Sequence, residues 1–349
     1  MTDQTATPLS LGYRMPAEWE PHEATWISWP HAEGQSFPDS YDRVVPTLVK
    51  MAAILAESEI LRINISSADQ EREVRGYLSK AAPMERVEFH HNPTNEPWCR
   101  DHGPIFVKRS GSPGLAVNDF GYNAWGGKYP PFDADDIVPT RIAKALGLPL
   151  FEPGFILEGG SVDPNGEGTL LTTESCLLNP NRNPSMDRAR IEQGLRDYLG
   201  VEKVLWLGDG IEGDDTDGHV DDITRFVSRD TVVTVVEHHH GDPNHLPLDE
   251  NLERLRGMTL ADGTPLNVLE MPMPPRIDRE GLRLPASHAN FYIANEAVLM
   301  PAFGGESDAV SADLLAGLFP TRMIRPVDCR ELIWGLGAFH CLTQQQPVA

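Results

Sequence analysis

The sequence predicts a single α/β domain built from many short elements. Short runs rich in valine, isoleucine, leucine and threonine alternate with helical patterns along the chain, punctuated by 30 glycines and 30 prolines. No shift in composition, low-complexity linker or block of charge divides the chain, and no sequence repeat is apparent. With 349 residues, 40% hydrophobic and 23% charged, the chain is long enough for one large core.

The strand and helix signals follow one another in order. The strand-like runs are Leu61–Ser66, Ile105–Val107, Thr169–Thr173, Thr231–Val236 and Ala297–Pro301. Apolar residues recur at helical spacing over roughly 42–57, 139–147, 184–199 and 308–318. Asn183, Pro184 and Ser185 predict the start of the third helix, and Gly200 predicts its end. The longest stretch without such signals is 109–138, and long irregular segments of this kind are often functional.

The first residues and the cysteines indicate the cellular compartment. We interpret residues 1–349 as one domain, with 1–12 as a loosely ordered N-terminal tail. The first residues lack the basic cluster and apolar run of a signal peptide, and no stretch reaches the ~18 apolar residues of a membrane span. Four widely spaced cysteines without a Cys-x-x-Cys pair indicate free thiols in a reducing compartment. We therefore expect a cytoplasmic protein; a homo-oligomer stays open.

The charge balance narrows the class of partner. The chain has 29 basic and 52 acidic residues, a net charge of −23. Nucleic acids and anionic membranes are recognised by basic patches, so we expect neither as a partner. A strongly acidic protein instead favours a cationic small molecule, although solubility alone also accounts for such a charge.

Four segments hold more glycine and polar chemistry than a core requires. They are Asn95–Pro104, Leu157–Ser161, Gly213–Asp222 and Gly335–Pro347, and a weaker fifth is Ala286–Asn295. The last of the four places Cys341 shortly after two glycines, close to the C-terminus. Glycines let the backbone turn tightly and let a substrate approach the sulfur. We interpret Cys341 as a nucleophile on a short loop or strand end.

A cysteine nucleophile requires thiolate character and a nearby proton carrier. His219 follows a glycine in an acidic loop, which would raise its pKa. If 219–221 is a strand, His219 and Asp221 point to one face, while Glu158 can orient the imidazole and Asp101 supplies a second carboxylate. Carboxylates would repel a developing oxyanion. They suit a guanidinium, which pairs with them bidentately and leaves its central carbon open to a thiolate.

The sequence also contains a second candidate nucleophile and several candidate metal ligands. If 98–101 is extended, Cys99 shares a face with Asp101 and becomes a rival nucleophile. The run His238–His240, with Asp242 and His245, is rich in metal ligands, but adjacent histidines on a strand point to opposite faces. His219 and Asp221 form only a two-ligand fragment. No glycine-rich loop has the spacing of a phosphate or dinucleotide binder. We expect neither a metal nor an organic cofactor.

Taken together, the segments resemble the agmatine deiminase (agmatine iminohydrolase) family, related to bacterial peptidyl-arginine deiminases within the guanidine-modifying superfamily. The matching stretches are Met15–Trp26, Trp98–Pro104, Glu158–Ser161, Gly213–Asp221, Asn290–Asn295 and His340–Pro347. They follow the family's order over nearly the whole chain. The resemblance implies the pentein fold, an α/β five-bladed propeller with pseudo-fivefold symmetry and a central active site.

The resemblance also implies roles for single residues. Cys341 would be the nucleophile and His219 the general acid and base, with Glu158 supporting His219. Asp101 and Asp221 would grip the guanidinium. The implied substrate-binding residues are Trp98, which would cover the substrate, and Asn290, which would line the site.

The motifs say less about which residues would bind the end of the substrate opposite the guanidinium. Asp214, Asp215 and Asp217, together with Trp125, are candidate neighbours for a second cation. The chain departs from the family where Asn95-Glu96-Pro97 replaces a common Asn-Asp, and where Gly337-Ala-Phe-His340 replaces Gly-Asn-Ile-His. These changes spare the chemical residues, but they can reshape the substrate entrance.

The reaction implied is the hydrolysis of agmatine to N-carbamoylputrescine and ammonia, a step of putrescine and polyamine biosynthesis. It would proceed through a covalent thiouronium on Cys341. Rival readings are deimination of free or peptidyl arginine, amidino transfer, and a non-catalytic binding protein with the same fold.

Overall fold

The computed structural model of the protein describes residues 6–349. The predicted N-terminal tail, 1–12, therefore lies partly outside the described residues; within it, Leu9–Leu11 form one helical turn. Among the described residues, no helix combines the length and the apolar character needed to cross a membrane. The four cysteines are buried free thiols.

Over residues 6–349 the chain forms eighteen strands, most of them short. In chain order they are β1 (His22–Ser28), β2 (Ile60–Ile65), β3 (Val87–His91), β4 (Ile105–Lys108), β5 (Leu115–Asn118), β6 (Leu150–Phe151), β7 (Asp163–Pro164), β8 (Thr169–Thr173), β9 (Lys203–Leu207), β10 (Thr224–Phe226), β11 (Thr231–Val236), β12 (Asn267–Pro272), β13 (Asp278–Arg279), β14 (Leu282–Arg283), β15 (Tyr292–Ile293), β16 (Ala297–Ala302), β17 (Met323–Asp328) and β18 (Thr343–Pro347).

The helices lie between these strands, and several are single turns. In chain order they are α1 (Tyr41–Ala56), α2 (Ala68–Leu78), α3 (Cys99–His102), α4 (Ala124–Gly127), α5 (Asp133–Asp136), α6 (Val138–Leu146), α7 (Glu174–Leu177), α8 (Arg188–Leu199), α9 (His245–Arg256), α10 (Glu306–Leu318) and α11 (Phe339–Leu342).

The predicted strands and helices are confirmed, with one boundary corrected. Helix α8 begins at Arg188 rather than near 184, because the Asp187 side chain caps it by accepting from the Arg190 amide at 2.9 Å. Its predicted end is right: Gly200 has φ 66°, a left-handed conformation that glycine adopts without steric cost.

One strand-pairing scheme occurs five times. In each of five sheets, the first strand pairs antiparallel with the second and the second pairs parallel with the third. The units are β18-β1-β2, extended by β3, then β4-β5-β6, β7-β8-β9, β10-β11-β12 and β15-β16-β17. A helix separates the two parallel strands, as a parallel crossover requires. These crossover helices are α1, α6, α8, α9 and α10. The fold thus repeats a unit that the sequence does not reveal.

Each unit is preceded by a short leading segment. These segments are α11, α3, Gly159–Ser161, Val220–Asp222 and the irregular stretch 286–291. The first four contact one another in series. The fifth closes the series, because the Asn290 Nδ2 lies 2.9 Å from Asp222 Oδ1 and 3.0 Å from Cys341 Sγ. A closed series of five is what a five-bladed propeller requires; the blade symmetry itself stays a prediction.

The buried carboxylate of Glu18 joins the units from within. Its Oε1 accepts from Arg225 Nη2 at 2.9 Å and from the Ile293 amide at 2.8 Å. Its Oε2 accepts from Arg100 Nη2 at 3.1 Å and lies 2.8 Å from His340 Nε2. Arg225 extends the network to the remaining unit, because its Nε donates to Asp163 at 3.0 Å. Residues from all five units therefore meet around one ion-pair network.

We expect Arg225→Ala to lower the free energy of unfolding by about 3–5 kcal/mol, because it removes the ion-pair partner of buried Asp163 and one of the cations around Glu18. Urea or guanidinium denaturation would measure this. The matched control is Arg276→Ala, which removes an exposed ion pair with Asp278 and should leave the midpoint nearly unchanged. Equal midpoints for the two variants would contradict the structural role of the network.

Candidate active site

Cys341 lies in the one-turn helix α11, immediately before β18. Its side chain is only 4% exposed, and Cys341 is one of the residues that line a partly open pocket. Asn290 fixes the sulfur and the backbone together: its Nδ2 donates to Sγ at 3.0 Å, and its Oδ1 accepts from the Cys341 amide at 3.3 Å. The thiol is thus held at the base of the pocket by a residue from another unit.

The electrostatic surroundings of Cys341 keep it protonated in the empty site. Burial raises the pKa of the thiol well above its usual range, and the carboxylates of Asp221, Asp222 and Asp101 raise it further. The amide of Asn290 opposes them only partly. A positive charge placed among these carboxylates would favour the thiolate.

Asp221 lies beside the sulfur, in the short turn Val220–Asp222. The expectation of a strand over 219–221 is wrong: His219 caps this turn, and the turn redirects the chain into β10. Asp221 Oδ2 lies 3.7 Å from Cys341 Sγ and 2.6 Å from His340 Nδ1. The other oxygen, Oδ1, is buried and has no hydrogen-bond partner within the part of the chain that the structure describes. Asp221 therefore presents one free carboxylate oxygen.

His219 is fully buried, and neither of its ring nitrogens has a hydrogen-bond partner among residues 6–349. Its Nδ1 lies 3.7 Å from Asp101 Oδ1. Burial alone would lower its pKa, but Asp101, Cys176 and Asp221 raise the pKa of His219 well above the ordinary value. The imidazole is thus positively charged near neutral pH and able to donate a proton.

Asp101 lies in the one-turn helix α3 rather than in an extended segment, so that expectation is corrected. The Trp125 indole donates to its Oδ2 at 2.9 Å, and the Gly160 amide donates to its Oδ1 at 3.0 Å. Burial, together with the carboxylates of Asp221 and Glu158 and against the attraction of His219, raises the pKa of Asp101 to about 6. Asp101 is therefore mostly ionised at pH 7.

Gly160 leaves space at the centre of these groups. A Cβ at this position would lie 2.5 Å from His219 Nδ1, 2.8 Å from Asp101 Oδ1 and 3.0 Å from Asp221 Oδ2. Real Cβ atoms do not approach other atoms so closely. The glycine is required for close approach of three polar side chains, which come from two other units.

Glu158 is buried beside His219 but is already paired. Its Oε1 accepts from Arg182 Nε at 2.6 Å, while its Oε2 has no partner. A carboxylate oxygen of Glu158 and a ring nitrogen of His219 lie within 4.8 Å of each other. Arg182 also donates to Asp217 and to the Thr216 carbonyl, so it fixes Glu158 to the loop that leads to His219.

Aromatic side chains form the walls of the pocket above Cys341. Trp98 packs against Gly335 and Gly337, where a Cβ would lie within 2.9 Å and 2.6 Å of its ring. Its indole donates to Ser36 Oγ at 2.8 Å. The full lining is Gln35, Ser36, Glu96, Trp98, Asp101, Trp125, Tyr129, Asp215, Thr216, Trp334, Gly335, Leu336, Gly337 and Cys341. It includes three carboxylates and no arginine, lysine or histidine.

The expectation that 109–138 is irregular is wrong in part, because the segment contains β5, α4 and α5. It contributes Trp125 and Tyr129 to this lining. Trp125 has φ 55°, a left-handed conformation that is unusual for a bulky residue. The Asn123 side chain holds this turn by accepting from the Gly126 amide at 2.8 Å. The backbone is thus bent to direct the Trp125 indole at Asp101.

The three acidic residues of the 213–219 loop have different surroundings. Asp215 lines the pocket and accepts a hydrogen bond from Tyr129, and burial raises its pKa. Asp214 instead accepts from the amides of Thr216, Gly218 and His219, so it organises the loop. Asp217 pairs with Lys128 at 2.8 Å and with Arg182. Only Asp215 of the three reaches the pocket.

The rival thiol and the metal candidates have different positions. Cys99 is buried in an apolar cluster with Trp26 and Phe106, where burial raises its pKa to about 12, and it does not line the pocket. Two groups have ligand atoms within 4.8 Å of one another: Glu158, Cys176 and His219, and Asp221, Asp222 and Cys341. His240 Nδ1 and His245 Nε2 lie 2.7 Å apart at the surface. The absence of a metal cofactor remains a prediction.

Several residues around the site escaped the sequence analysis. Glu18, Arg100 and His340 form the buried support behind Asp221, and Arg225 had no position assigned to it. His340 lay beside Cys341 in the matched stretch His340–Pro347, but no role was assigned to it. Glu18 lay in the matched stretch Met15–Trp26, but its partners are between 82 and 322 residues away along the chain.

Comparison with known proteins places the chain among guanidine-acting enzymes. The sequence model of the Porphyromonas-type peptidyl-arginine deiminase family matches residues 14–347. An agmatine deiminase of Pseudomonas aeruginosa is 37% identical, covering 99% of each chain. The structure of an agmatine deiminase of Enterococcus faecalis superposes with a TM-score of 0.92 at 33% identity, covering 99% of this chain and 98% of the other. A substrate-bound C. jejuni agmatine deiminase gives 0.87 at 30% identity, covering 96% of each chain. The expected α/β fold is confirmed.

We expect the rate of Cys341 alkylation by neutral iodoacetamide to keep rising with pH beyond about 9.5, where an ordinary thiol with a pKa of about 8.5 levels off. The cause is the raised thiol pKa, which leaves little thiolate at neutral pH in the empty site. Mass spectrometry of the labelled peptide would measure the rate, with Cys341→Ser as the blank. A plateau below pH 8 would contradict the raised pKa.

Proposed function

We propose that this chain, which belongs to the Porphyromonas-type peptidyl-arginine deiminase family, is an agmatine deiminase that hydrolyses agmatine to N-carbamoylputrescine and ammonia. One observation carries the choice of substrate. The pocket above Cys341 is lined by the carboxylates of Glu96, Asp101 and Asp215 and by no basic side chain. Agmatine is cationic at both ends, and each end has a carboxylate to meet.

The guanidinium is proposed to bind between Asp101 and Asp221. Asp221 offers Oδ1, and Asp101 offers oxygens oriented by Trp125 and Gly160. Two carboxylates hold a planar guanidinium by its N–H groups and leave its carbon open to the sulfur. This orientation supplies much of the rate advantage of a bound substrate.

The bound cation also activates the nucleophile. In the empty site, burial and three carboxylates hold Cys341 as a thiol. The positive charge of the guanidinium offsets these carboxylates and lowers the thiol pKa, so that the proton is released as the substrate binds. A thiolate therefore forms mainly when a substrate is present.

The first chemical step forms a carbon–sulfur bond. The thiolate of Cys341 attacks the guanidinium carbon, and the charged imidazole of His219 donates a proton to the departing nitrogen. Ammonia leaves, and the substrate carbon remains on the sulfur as a thiouronium. His219 is then neutral.

The second step returns the enzyme to its starting state. Neutral His219 removes a proton from water, and the resulting hydroxide attacks the thiouronium carbon. The carbon–sulfur bond breaks and the thiolate leaves. The remaining proton of the attacking water passes to the sulfur, which restores the thiol as the ureido product is released. This chemistry takes place on side chains alone, and a free thiol nucleophile fits a reducing cytoplasm.

Peptidyl arginine is the second candidate, because it gives the matching family its name. Arginine carries an α-carboxylate that would lie among like charges in this pocket, which disfavours it by repulsion. A peptide-linked arginine lacks that charge but requires an open path for its backbone. Product analysis separates the candidates.

We expect the wild-type protein to release ammonia and a ureido product from agmatine with kcat/KM at least about 10²-fold above that for arginine or a blocked arginine peptide. The measurement is quantification of ammonia and of the ureido compound for the three substrates. Cys341→Ser should abolish turnover, and rapid quench of the wild-type protein should trap an adduct on Cys341. Full turnover by Cys341→Ser, or a preference for the peptide, would sink the assignment.

Gly160→Ala should lower kcat/KM for agmatine by about 10²-fold or more while the protein stays folded, because the added methyl group separates His219, Asp101 and Asp221. Steady-state kinetics and circular dichroism would measure the two effects. The matched control is Gly76→Ala in α2, where the added Cβ meets no atom within 4 Å. Activity equal to that of the control would remove Gly160 from the site.

Asp215→Asn should raise KM for agmatine about tenfold with little change in kcat, since it removes a carboxylate proposed to meet the distal ammonium. The value for arginine should change less, so the ratio of the two kcat/KM values measures the effect. Asp209→Asn is the charge-matched control, because Asp209 is exposed outside the pocket lining. A fall in kcat alone would contradict a binding role for Asp215.

A further inference from the structure

A row of three buried charged side chains lies behind the pocket. Asp221 Oδ2 is 2.6 Å from His340 Nδ1, and His340 Nε2 is 2.8 Å from Glu18 Oε2. The exposed fractions of Glu18, His340 and Asp221 are 4%, 2% and 0%. None of the three is among the described residues that line the pocket. Asp221 is the member of the row next to the pocket-lining Cys341, because its Oδ2 lies 3.7 Å from Sγ.

The charge of His340 follows if the carboxylates of Asp221 and Glu18 are both ionised. Ionised carboxylate oxygens accept hydrogen bonds but donate none. An imidazole bonded through both nitrogens to carboxylates must donate twice, and an imidazole that donates twice is positively charged. Asp221 thus has a resident cation on one oxygen, Oδ2, while Oδ1 remains without a partner.

We propose that His340 is a positioning residue for Asp221, and that Glu18 holds His340 in its charged, doubly donating state. The inference rests on the proposed function, in which Asp221 grips the guanidinium. His340 keeps Asp221 ionised before the substrate arrives. The hydrogen bond also sets the rotation of the carboxylate, so that the free oxygen faces the substrate.

Hydrogen bonds to both oxygens hold the carboxylate of Glu18 in one orientation. Besides His340, its two oxygens accept from Arg100 at 3.1 Å, Arg225 at 2.9 Å and the Ile293 amide at 2.8 Å. Despite burial, Arg225, His340 and Arg100 hold the pKa of Glu18 well below its usual range. The acceptor for His340 Nε2 is therefore fixed in place and ionised.

The backbone of His340 is fixed independently of its ring. Its amide donates to Asn290 Oδ1 at 3.0 Å, and its carbonyl accepts from Arg100 Nε at 3.2 Å. A change of the ring that keeps the backbone bonds therefore leaves the neighbouring Cys341 supported. This separation allows the ring to be tested by substitution.

Asp221 is surrounded by charges of both signs. The cations that face it are His340, His219 and Arg225. The acidic groups that face it are Asp222, Asp101 and the Cys341 thiol. Without the charge of His340, the balance moves toward the acidic groups, and Asp221 takes up a proton at higher pH. Protonated Asp221 does not attract a guanidinium. The fall of kcat/KM on acidification therefore begins at a higher pH.

The test compares two neutral replacements. In His340→Asn, the amide nitrogen takes the place of Nδ1 and keeps the bond to Asp221. In His340→Gln, the amide nitrogen takes the place of Nε2 and keeps only the bond to Glu18. Both should move the acid limb of kcat/KM for agmatine upward by about one pH unit, because both lose the charge. At optimal pH, His340→Gln should lose at least about tenfold more kcat/KM than His340→Asn.

The control is His288→Gln, a buried histidine bonded to the Pro301 carbonyl and Ser307, which should leave the acid limb where it is in the wild type. An unmoved acid limb in both His340 variants would overturn the proposal. Equal losses at optimal pH in the two variants would also overturn it, because a general structural role makes no distinction between them.

A second measurement keeps His340 itself, so it can be made even if the His340 variants do not fold. Nitrogen-15 NMR of histidine-labelled His219→Asn should retain a ring with both nitrogens protonated at pH 8, since the other expected imidazolium has been removed. A spectrum with neutral rings alone would overturn the charge assignment. This readout does not depend on turnover. If wild-type protein releases no ammonia from agmatine, the proposed function fails while the state of His340 is still measured.

Discussion

The structure depends on one buried carboxylate. Glu18 accepts from Arg100, Arg225, His340 and the Ile293 amide, and Arg225 carries the network on to Asp163. These groups come from the five repeated units. A buried charge without its partner costs several kcal/mol, so the units must meet here in one arrangement. Among the described residues, the buried apolar side chains form four clusters.

The candidate site is a consequence of the same meeting point. Each unit begins with a leading segment, and these segments hold Cys341, Asp101, Gly160, Asp221 and Asn290. Because the segments contact one another in series, residues far apart in sequence lie within a few ångströms. Gly160 permits the approach by having no side chain where three polar groups converge. No single unit contains the whole site, because each leading segment supplies one of these residues.

The same geometry leaves the pocket short of positive charge. Behind Asp221, Glu18 is balanced by two arginines and His340. On the pocket side, Glu96, Asp101 and Asp215 line the space above the Cys341 thiol. Burial and the carboxylates of Asp221, Asp222 and Asp101 raise the pKa of this thiol. The carboxylates of the pocket have fewer cationic partners than Glu18 has. A bound cation is therefore favoured, because it relieves the repulsion among these carboxylates. Binding and activation of the thiol then have one physical cause.

The sequence by itself determined the α/β alternation, the acidic character, the residues able to do guanidine chemistry and, through resemblance, the family. These signals are local, since each depends on periodicity or on a motif of a few residues. Only the tertiary structure decided that Asp215 faces the pocket while Asp214 and Asp217 hold the loop. It also decided that Glu18 and His340 stand behind Asp221. Those relations join residues up to 322 positions apart, and no local pattern carries the distance between them.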